Sequence, residues 1–167
     1  MYFSRNEAVI ASLQEFLNSL SFKSIHVFLP IENNHEPDVR TLFPGWWREG
    51  KMILTSSTDF VRKEMHHFIL EEGTKLVVNH KGIPEPMNAK EGAIEDIQVI
   101  LIPLLVADLL GNRIGYGGGY YDRLLHETKA VKIGLSLSPP LDKIEQVEDW
   151  DIRLDHLITP FKLYNYG

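Results

Sequence analysis

The chain contains no cysteine. This absence excludes disulfides, thiolate metal sites and a cysteine nucleophile together, and it fits a reducing compartment. An excess of basic residues is also absent, since the 167 residues carry a formal net charge of −6. Proteins that coat nucleic acid need that excess to neutralise phosphates, so we expect no nucleic-acid partner. A local anion site built from a few residues stays compatible with this charge.

Long hydrophobic runs are absent as well. The longest one, VILIPLLVA from Val99 to Ala107, is much shorter than the roughly 20 residues that cross a membrane. The first residues, MYFSRNEAVIASLQEFLNSL, carry polar and acidic groups throughout, which is unlike the apolar core of a signal peptide. We therefore expect a soluble, cytoplasmic protein with no membrane partner, and we take it to be a monomer.

What the sequence does contain is an alternation of helical and strand-like segments. Apolar residues spaced three and four apart predict an amphipathic helix from Asn6 to Leu20. A short helix is expected from Asp38 to Trp47, ended or kinked by Pro44 and Gly45. A third helix is expected from Gly119 to Glu127. Strands or short apolar runs are predicted at 24–30, 51–57, 65–70, 74–79, 97–103, 131–137 and 156–159, and an extended turn at 81–86.

This alternation predicts an α/β fold, with a single domain over residues 1–167 and a mostly parallel, Rossmann-like sheet flanked by helices. Ligands of such sheets bind beyond the carboxyl ends of the strands. The most apolar strand candidate, Val99–Ile102, is followed within ten residues by the stretch GNRIGYGGGYYDRLL, 111–125. This glycine-rich stretch therefore lies where a binding loop is expected.

Two common phosphate-binding motifs do not fit the glycine-rich stretch. A Walker loop needs Lys-Ser or Lys-Thr after its last glycine, and no such pair follows here. The dinucleotide fingerprint G-x-G-x-x-G fails in both registers, because the place of its last glycine is taken by Tyr120 or by Asp122. Neither motif explains why four glycines stand within five residues.

An anion cradle remains possible on physical grounds. Successive glycines can turn their backbone N–H groups toward an anion, and a following helix adds its positive end. Arg113 can add a charge-assisted contact to phosphate. Asp122 would repel phosphate unless a divalent cation lay between them, as Mg²⁺ does in nucleotide sites. These residue types suggest a magnesium–nucleotide site, and the alternative is a flexible hairpin with surface charges.

The glycine-rich stretch closely resembles the signature of the 5-formyltetrahydrofolate cyclo-ligases, also called methenyltetrahydrofolate synthetases. Other segments follow in the order of that family: FLP…EPD, GIPEP, ILIPLLVAD and EDWDIRLDHLITP. The resemblance covers about residues 24–160. It implies an α/β fold and an ATP- and Mg²⁺-dependent ring closure. In that reaction 5-formyltetrahydrofolate becomes 5,10-methenyltetrahydrofolate, with release of ADP and phosphate.

The resemblance also implies a role for individual residues. Arg113 and Asp122 would be catalytic, and Asp122 and Asp151 would bind Mg²⁺. The ATP-binding residues would be Arg113, Ile114, Gly115, Tyr116, Gly117, Gly118, Gly119 and Tyr120. The residues that bind the reduced folate would be Ile31, Glu36, Tyr120 and Tyr121. Among these, the carboxylate of Glu36 can accept hydrogen bonds from the N–H groups of a pterin.

The chain departs from the family pattern at several positions. Gly118 stands where many relatives carry lysine, and Tyr116 stands where arginine is common. Relatives usually begin with a helix whose lysine and arginine reach ATP, whereas Arg5 is the only basic residue among the first twenty here. Trp150 precedes Asp151 where histidine or asparagine is usual.

Three rival functions remain at this point. The first is a module that kept the site but lost the basic residues of the first helix, and that binds folate or nucleotide without turnover. The second is a shift to a thiamine-related substrate. The third is a sugar-phosphate isomerase or acyl-CoA transferase, whose sheet architecture is similar, and only fold analogy supports it.

Overall fold

A seven-stranded sheet organises the fold of the computed structural model, which describes residues 1–167. Its strands in spatial order are β11 (Leu163–Asn165), β10 (His156–Ile158), β9 (Val131–Leu135), β6 (Val99–Pro103), β1 (Ser24–His26), β2 (Met52–Asp59) and β3 (Glu64–Ile69). All neighbouring pairs from β10 to β2 are parallel, and the two edge strands run antiparallel. The predicted α/β fold with a mostly parallel sheet is confirmed.

Three α-helices accompany the sheet. They are α1 (Tyr2–Asn18), α2 (Phe43–Arg48) and α3 (Tyr120–His126), with short 3₁₀ turns at Arg40–Leu42 and Ile94–Asp96. The prediction that Pro44 ends or kinks the second helix is wrong. Pro44 lies in the first turn of α2, where the N–H that proline lacks would have no helical partner. None of these helices combines the length and the hydrophobicity of a transmembrane segment.

Two antiparallel hairpins lie outside the seven-stranded sheet. One pairs β4 (Lys75–Val78) with β5 (Pro84–Met87), and the other pairs β7 (Val106–Ala107) with β8 (Arg113–Ile114). The prediction of an extended turn at 81–86 is wrong in its second half, because 84–87 form β5. Two prolines fit in this strand because a two-stranded ladder leaves edges that need no N–H donor.

The core lies on both faces of the sheet. Along β6, Val99 and Leu101 pack into the cluster on the α1 and α2 side, whereas Ile100 and Ile102 pack into the cluster that contains α3 residues. A strand that is covered on both faces needs apolar residues at consecutive positions. This requirement explains the continuous apolar run VILI in β6. Because the core covers the two faces of the sheet, the carboxyl ends of the strands remain available for a site.

Candidate active site

A cavity of about 670 Å³ opens at the carboxyl ends of the parallel strands. Its walls include residues 27–29, directly after β1, the second half of β2, and Pro103 at the end of β6. The glycine-rich loop and the turn between β4 and β5 complete the walls. The cavity therefore lies at the sheet edge where the α/β pattern predicts ligand binding.

Every site residue predicted from the sequence lines this cavity. The set comprises Ile31, Glu36, Arg113, Ile114, Gly115, Tyr116, Gly117, Gly118, Gly119, Tyr120, Tyr121, Asp122 and Asp151. These residues come from three separate parts of the chain, so the fold and not the local sequence brings them together. Their individual roles toward a ligand remain predictions.

A buried carboxylate fixes the turn that leads into the glycine-rich loop. Asp108 is fully buried and accepts hydrogen bonds from the backbone N–H groups of Leu110, Asn112 and Ile144, each at 2.9 Å, and from the Asn112 amide at 3.0 Å. Burial would raise the pKa of Asp108, but these hydrogen bonds outweigh it and lower the pKa. The Tyr166 hydroxyl also donates to the Asp108 carbonyl at 2.8 Å. These contacts fix the backbone of the turn 108–112, which directly precedes Arg113.

The glycine-rich loop requires glycine for conformational reasons. Gly117, Gly118 and Gly119 have φ values of +94°, +81° and +66°, a region that other residues rarely adopt. A Cβ atom at Gly118 would lie 2.5 Å from the ring of Tyr120. Arg123 of α3 donates a hydrogen bond to the Gly118 carbonyl at 2.6 Å. The loop therefore presents bare backbone to the cavity and is anchored to the helix that follows it.

Arg113 and Asp122 form an ion pair in the wall of the cavity. The Arg113 Nη2 atom lies 2.8 Å from Asp122 Oδ1, and the two side chains are only 5% and 14% exposed. The backbone N–H of Ile152 donates to the same oxygen at 3.2 Å. The guanidinium predicted to contact phosphate thus also contacts a carboxylate of the chain itself, while its Nε atom is buried without a hydrogen-bond partner.

Asp151, the second predicted magnesium ligand, directly precedes Ile152, whose N–H binds Asp122 of α3. Its Oδ2 atom accepts a hydrogen bond from the backbone N–H of Glu148 at 3.0 Å. The chain contains no cluster of three or more histidine and carboxylate side chains suited to a metal ion. Asp122 and Asp151 are the carboxylates of the cavity wall that belong to α3 and to the segment hydrogen-bonded to it.

Glu36 forms the polar end of the cavity together with two tyrosines. Its carboxylate is buried and accepts a hydrogen bond from the backbone N–H of Ile31. Burial, followed by the negative charge of Glu36, raises the pKa of the Tyr116 and Tyr121 hydroxyls. This end of the cavity can accept hydrogen bonds at the carboxylate and donate them from the phenols.

Two histidines and a serine form a hydrogen-bonded chain at the cavity wall, and no motif in the sequence predicts it. Ser56 lines the cavity, and its Oγ atom lies 2.7 Å from His26 Nε2 and 2.8 Å from His67 Nδ1. His26 is fully buried, and burial, together with the neighbouring His67, lowers its pKa to about 3. Burial also lowers the pKa of His67. The register of β2 and β3, which pairs Ser56 with His67, creates this contact.

Further cavity residues that sequence reasoning did not assign to the site include Phe60, Lys81 and Trp150. The Phe60 ring meets the Tyr120 ring edge-on, with centroids 6.0 Å apart. Trp150 is 48% exposed and packs so closely on Gly119 that a Cβ atom there would lie 3.0 Å from the indole. Aromatic rings therefore contact both the last glycine of the loop and the first residue of α3.

Comparisons with known proteins point to one family. A model of the 5-formyltetrahydrofolate cyclo-ligase family matches residues 3–160. The chain is 30% identical over 149 residues to 5-formyltetrahydrofolate cyclo-ligase of Escherichia coli K12, and the match covers 86% of this chain and 81% of that protein.

Solved structures agree with that family. The NMR structure of Aquifex aeolicus 5,10-methenyltetrahydrofolate synthetase is similar, with a TM-score of 0.81, 30% identity, and coverage of 96% of this chain and 80% of that one. The 5,10-methenyltetrahydrofolate synthetase of Mycoplasma pneumoniae has a TM-score of 0.75 at 21% identity, with coverage of 95% and 87%. The second likeness supports the fold alone.

The buried histidine should make stability depend on pH. The pKa of His26 is lower in the folded state than its ordinary value of 6.5, so the unfolded chain binds the proton more strongly. The free energy of unfolding should therefore fall as the pH decreases from 6.5 toward about 3. We expect His26 to account for at least about 1.4 kcal/mol of this fall, the value of one pKa unit.

Urea denaturation at several pH values measures the effect. The variant His26→Gln should show a shallower dependence than the wild type, whereas His80→Gln, at an exposed position, should leave the dependence unchanged. Parallel curves for the wild type and His26→Gln would contradict the assignment.

Proposed function

The chain belongs to the 5-formyltetrahydrofolate cyclo-ligase family, and from this we propose that its cavity converts 5-formyltetrahydrofolate and ATP to 5,10-methenyltetrahydrofolate, ADP and phosphate, with Mg²⁺ as the metal. The observation that carries the proposal is the meeting of Glu36 and the glycine-rich loop in one cavity. A hydrogen-bonding carboxylate suits a pterin, and bare backbone N–H groups suit phosphate. Both substrates must be held together for the reaction.

The residues present fit a magnesium–phosphate group. Mg²⁺ in nucleotide sites uses only one or two carboxylates, and phosphates and waters complete its shell. Asp122 and Asp151 would hold it, because each has one carboxylate oxygen, Oδ2 and Oδ1 respectively, without a hydrogen bond to protein. When bound, the metal neutralises phosphate charge.

Arg113 and the loop glycines would bind the phosphates themselves. The buried Nε–H of Arg113 has no acceptor within the protein, and leaving such a donor unpaired costs on the order of 1–3 kcal/mol. A phosphate oxygen is a suitable acceptor. The positive φ values of 117–119 leave the backbone free of side chains on this wall, which allows close approach of a ligand.

The folate would lie between Glu36 and the aromatic residues. Ile31 supplies an apolar wall, and Tyr120 and Tyr121 supply flat rings that suit a pterin and an aminobenzoate. Burial, followed by the negative charge of Glu36, raises the pKa of the Tyr121 hydroxyl, so the phenol is neutral and can donate a hydrogen bond to a ligand. The formyl group would then face the glycine-rich loop, where the nucleotide is bound.

The chemistry needs positioning more than a protein nucleophile. The formyl oxygen attacks the γ-phosphorus and displaces ADP, after which N10 attacks the activated formyl carbon. Phosphate leaves with the former formyl oxygen, and N10 loses its proton. The chain would contribute orientation and charge neutralisation, as in phosphoryl transfer generally.

The proposal predicts product formation by the purified protein. Mixing it with MgATP and 5-formyltetrahydrofolate should give the absorbance of methenyltetrahydrofolate, and omission of ATP or chelation of Mg²⁺ should abolish the signal. Absence of product at high protein concentration would overturn the proposal. Binding of both ligands without product would instead favour a non-catalytic module.

The metal assignment predicts the effect of one substitution. Asp122→Asn keeps an oxygen that can accept the Arg113 hydrogen bond but removes the charge that would hold the metal. Turnover should fall by about 100-fold or more, since metal coordination contributes several kcal/mol to such reactions.

The matched control is Asp149→Asn, at an exposed position outside the cavity wall. It should retain wild-type turnover. A Mg²⁺ titration of initial rates, with a urea midpoint for each variant, separates loss of metal binding from loss of folding. Wild-type turnover of Asp122→Asn would show that the carboxylate does not hold the metal.

A further inference from the structure

The cavity wall carries more carboxylates than cations. Its charged residues are the cations Lys81 and Arg113 and the carboxylates Glu36, Asp122 and Asp151. The charge of Arg113 is opposed by Asp122 at 2.8 Å. Lys81 is thus the cation of the wall that has no carboxylate partner. A cavity that takes up polyanionic substrates needs such a charge.

Other basic residues that could supply the charge are used elsewhere. Arg5 donates a hydrogen bond to the Leu137 carbonyl at 3.3 Å, and its guanidinium lies 5.4 Å from the centre of the Phe161 ring. Arg123 donates to the Gly118 carbonyl. Neither Arg5 nor Arg123 lines the cavity. The glycine-rich loop itself contributes no lysine.

Lys81 lies opposite the glycine-rich loop, with one aromatic ring between them. Its Nζ atom is 4.3 Å from the centre of the Phe60 ring. Phe60 also packs edge-on against the ring of Tyr120, which is the first residue of α3 and follows the loop glycines. The Lys81 ammonium forms no ion pair and no hydrogen bond within the protein. The cation–π contact with Phe60 orients the Lys81 side chain at the cavity wall. The N–H groups of the ammonium remain available to a ligand.

The backbone that carries Lys81 is held in place by side chains. The Asn79 Oδ1 atom accepts hydrogen bonds from the N–H groups of Lys81 at 2.8 Å and Ile83 at 3.1 Å. Asn79 Nδ2 donates to Glu85 Oε1 at 3.1 Å, and the same oxygen accepts the Thr58 N–H of β2 at 2.9 Å. Because the backbone of this turn is already fixed, binding of an anion to the Lys81 ammonium would cost little backbone conformational entropy.

We propose that Lys81 binds an anionic substrate oxygen at the mouth of the cavity, supplying charge that the glycine-rich loop lacks. The inference rests on the proposed function, which brings two anions to this cavity: the triphosphate of the nucleotide and the carboxylate tail of the folate. An ammonium pairs with either oxygen by the same chemistry. Asn79 and Glu85 are positioning residues, since they act through the turn that presents Lys81.

Isothermal titration calorimetry tests the proposal without requiring turnover. MgATP and 5-formyltetrahydrofolate are titrated separately into the wild type, Lys81→Met, Lys81→Arg and the control Lys75→Met. Lys75 is an exposed lysine of the same hairpin that does not line the cavity. Lys81→Met should weaken one ligand by about tenfold, as expected for a charge-assisted hydrogen bond. Lys81→Arg should restore most of the affinity, and Lys75→Met should bind as the wild type does.

The two ligands distinguish the source of the anion. Weaker binding of MgATP alone assigns Lys81 to the phosphates. Weaker binding of the folate alone assigns it to the tail carboxylate. The amide of 5-formyltetrahydropteroate, which has no carboxylate, should then bind the wild type and Lys81→Met equally. Wild-type affinity of Lys81→Met for both ligands, an equal loss in Lys75→Met, or no binding of either ligand to the wild type overturns the proposal. Absence of turnover with intact binding would overturn only the proposed function.

Discussion

The buried ion pair between Arg113 and Asp122 is the contact on which the geometry of the cavity depends. It joins the two ends of the glycine-rich loop, because Arg113 lies in β8 and Asp122 lies in α3. The bond from the Ile152 N–H to Asp122 attaches the segment of Asp151 to the same point. Buried ion pairs add little net stability, since desolvation offsets their attraction. Their value here is geometric: the ion pair and the Ile152 hydrogen bond together connect the loop, the helix and the segment of Asp151 at one carboxylate.

The parts of the fold that could be predicted from the sequence are those with a strong local pattern. The consecutive apolar residues of β6 and the helical spacing of α1 each follow from burial, and both elements are present. Strands β5, β7, β8 and β11 carry no such pattern, because they are short and lie at edges or in hairpins. Pro44 was misinterpreted since proline both begins and interrupts helices, and only the tertiary position decides between these effects.

The same division applies to the site. The loop residues could be predicted because Arg113, the glycines and Asp122 are neighbours in sequence, and a phosphate cradle uses neighbouring backbone groups. Ser56 and its histidines depend on the register between β2 and β3. The position of Lys81 depends on how the β4–β5 hairpin contacts β2 through Glu85. No spacing rule encodes either arrangement, so long-range packing had to be known before these residues could be recognised.

The central claim is that the Arg113–Asp122 pair belongs to a phosphate and metal site and is not merely a structural contact. A crystal structure with Mg²⁺ and a non-hydrolysable ATP analogue tests it most directly. We predict the triphosphate against the backbone of 115–119, a phosphate oxygen on Arg113, and Mg²⁺ on the carboxylate of Asp122. A nucleotide bound away from the glycine-rich loop, with the 2.8 Å ion pair unchanged and no metal at Asp122, would contradict the account.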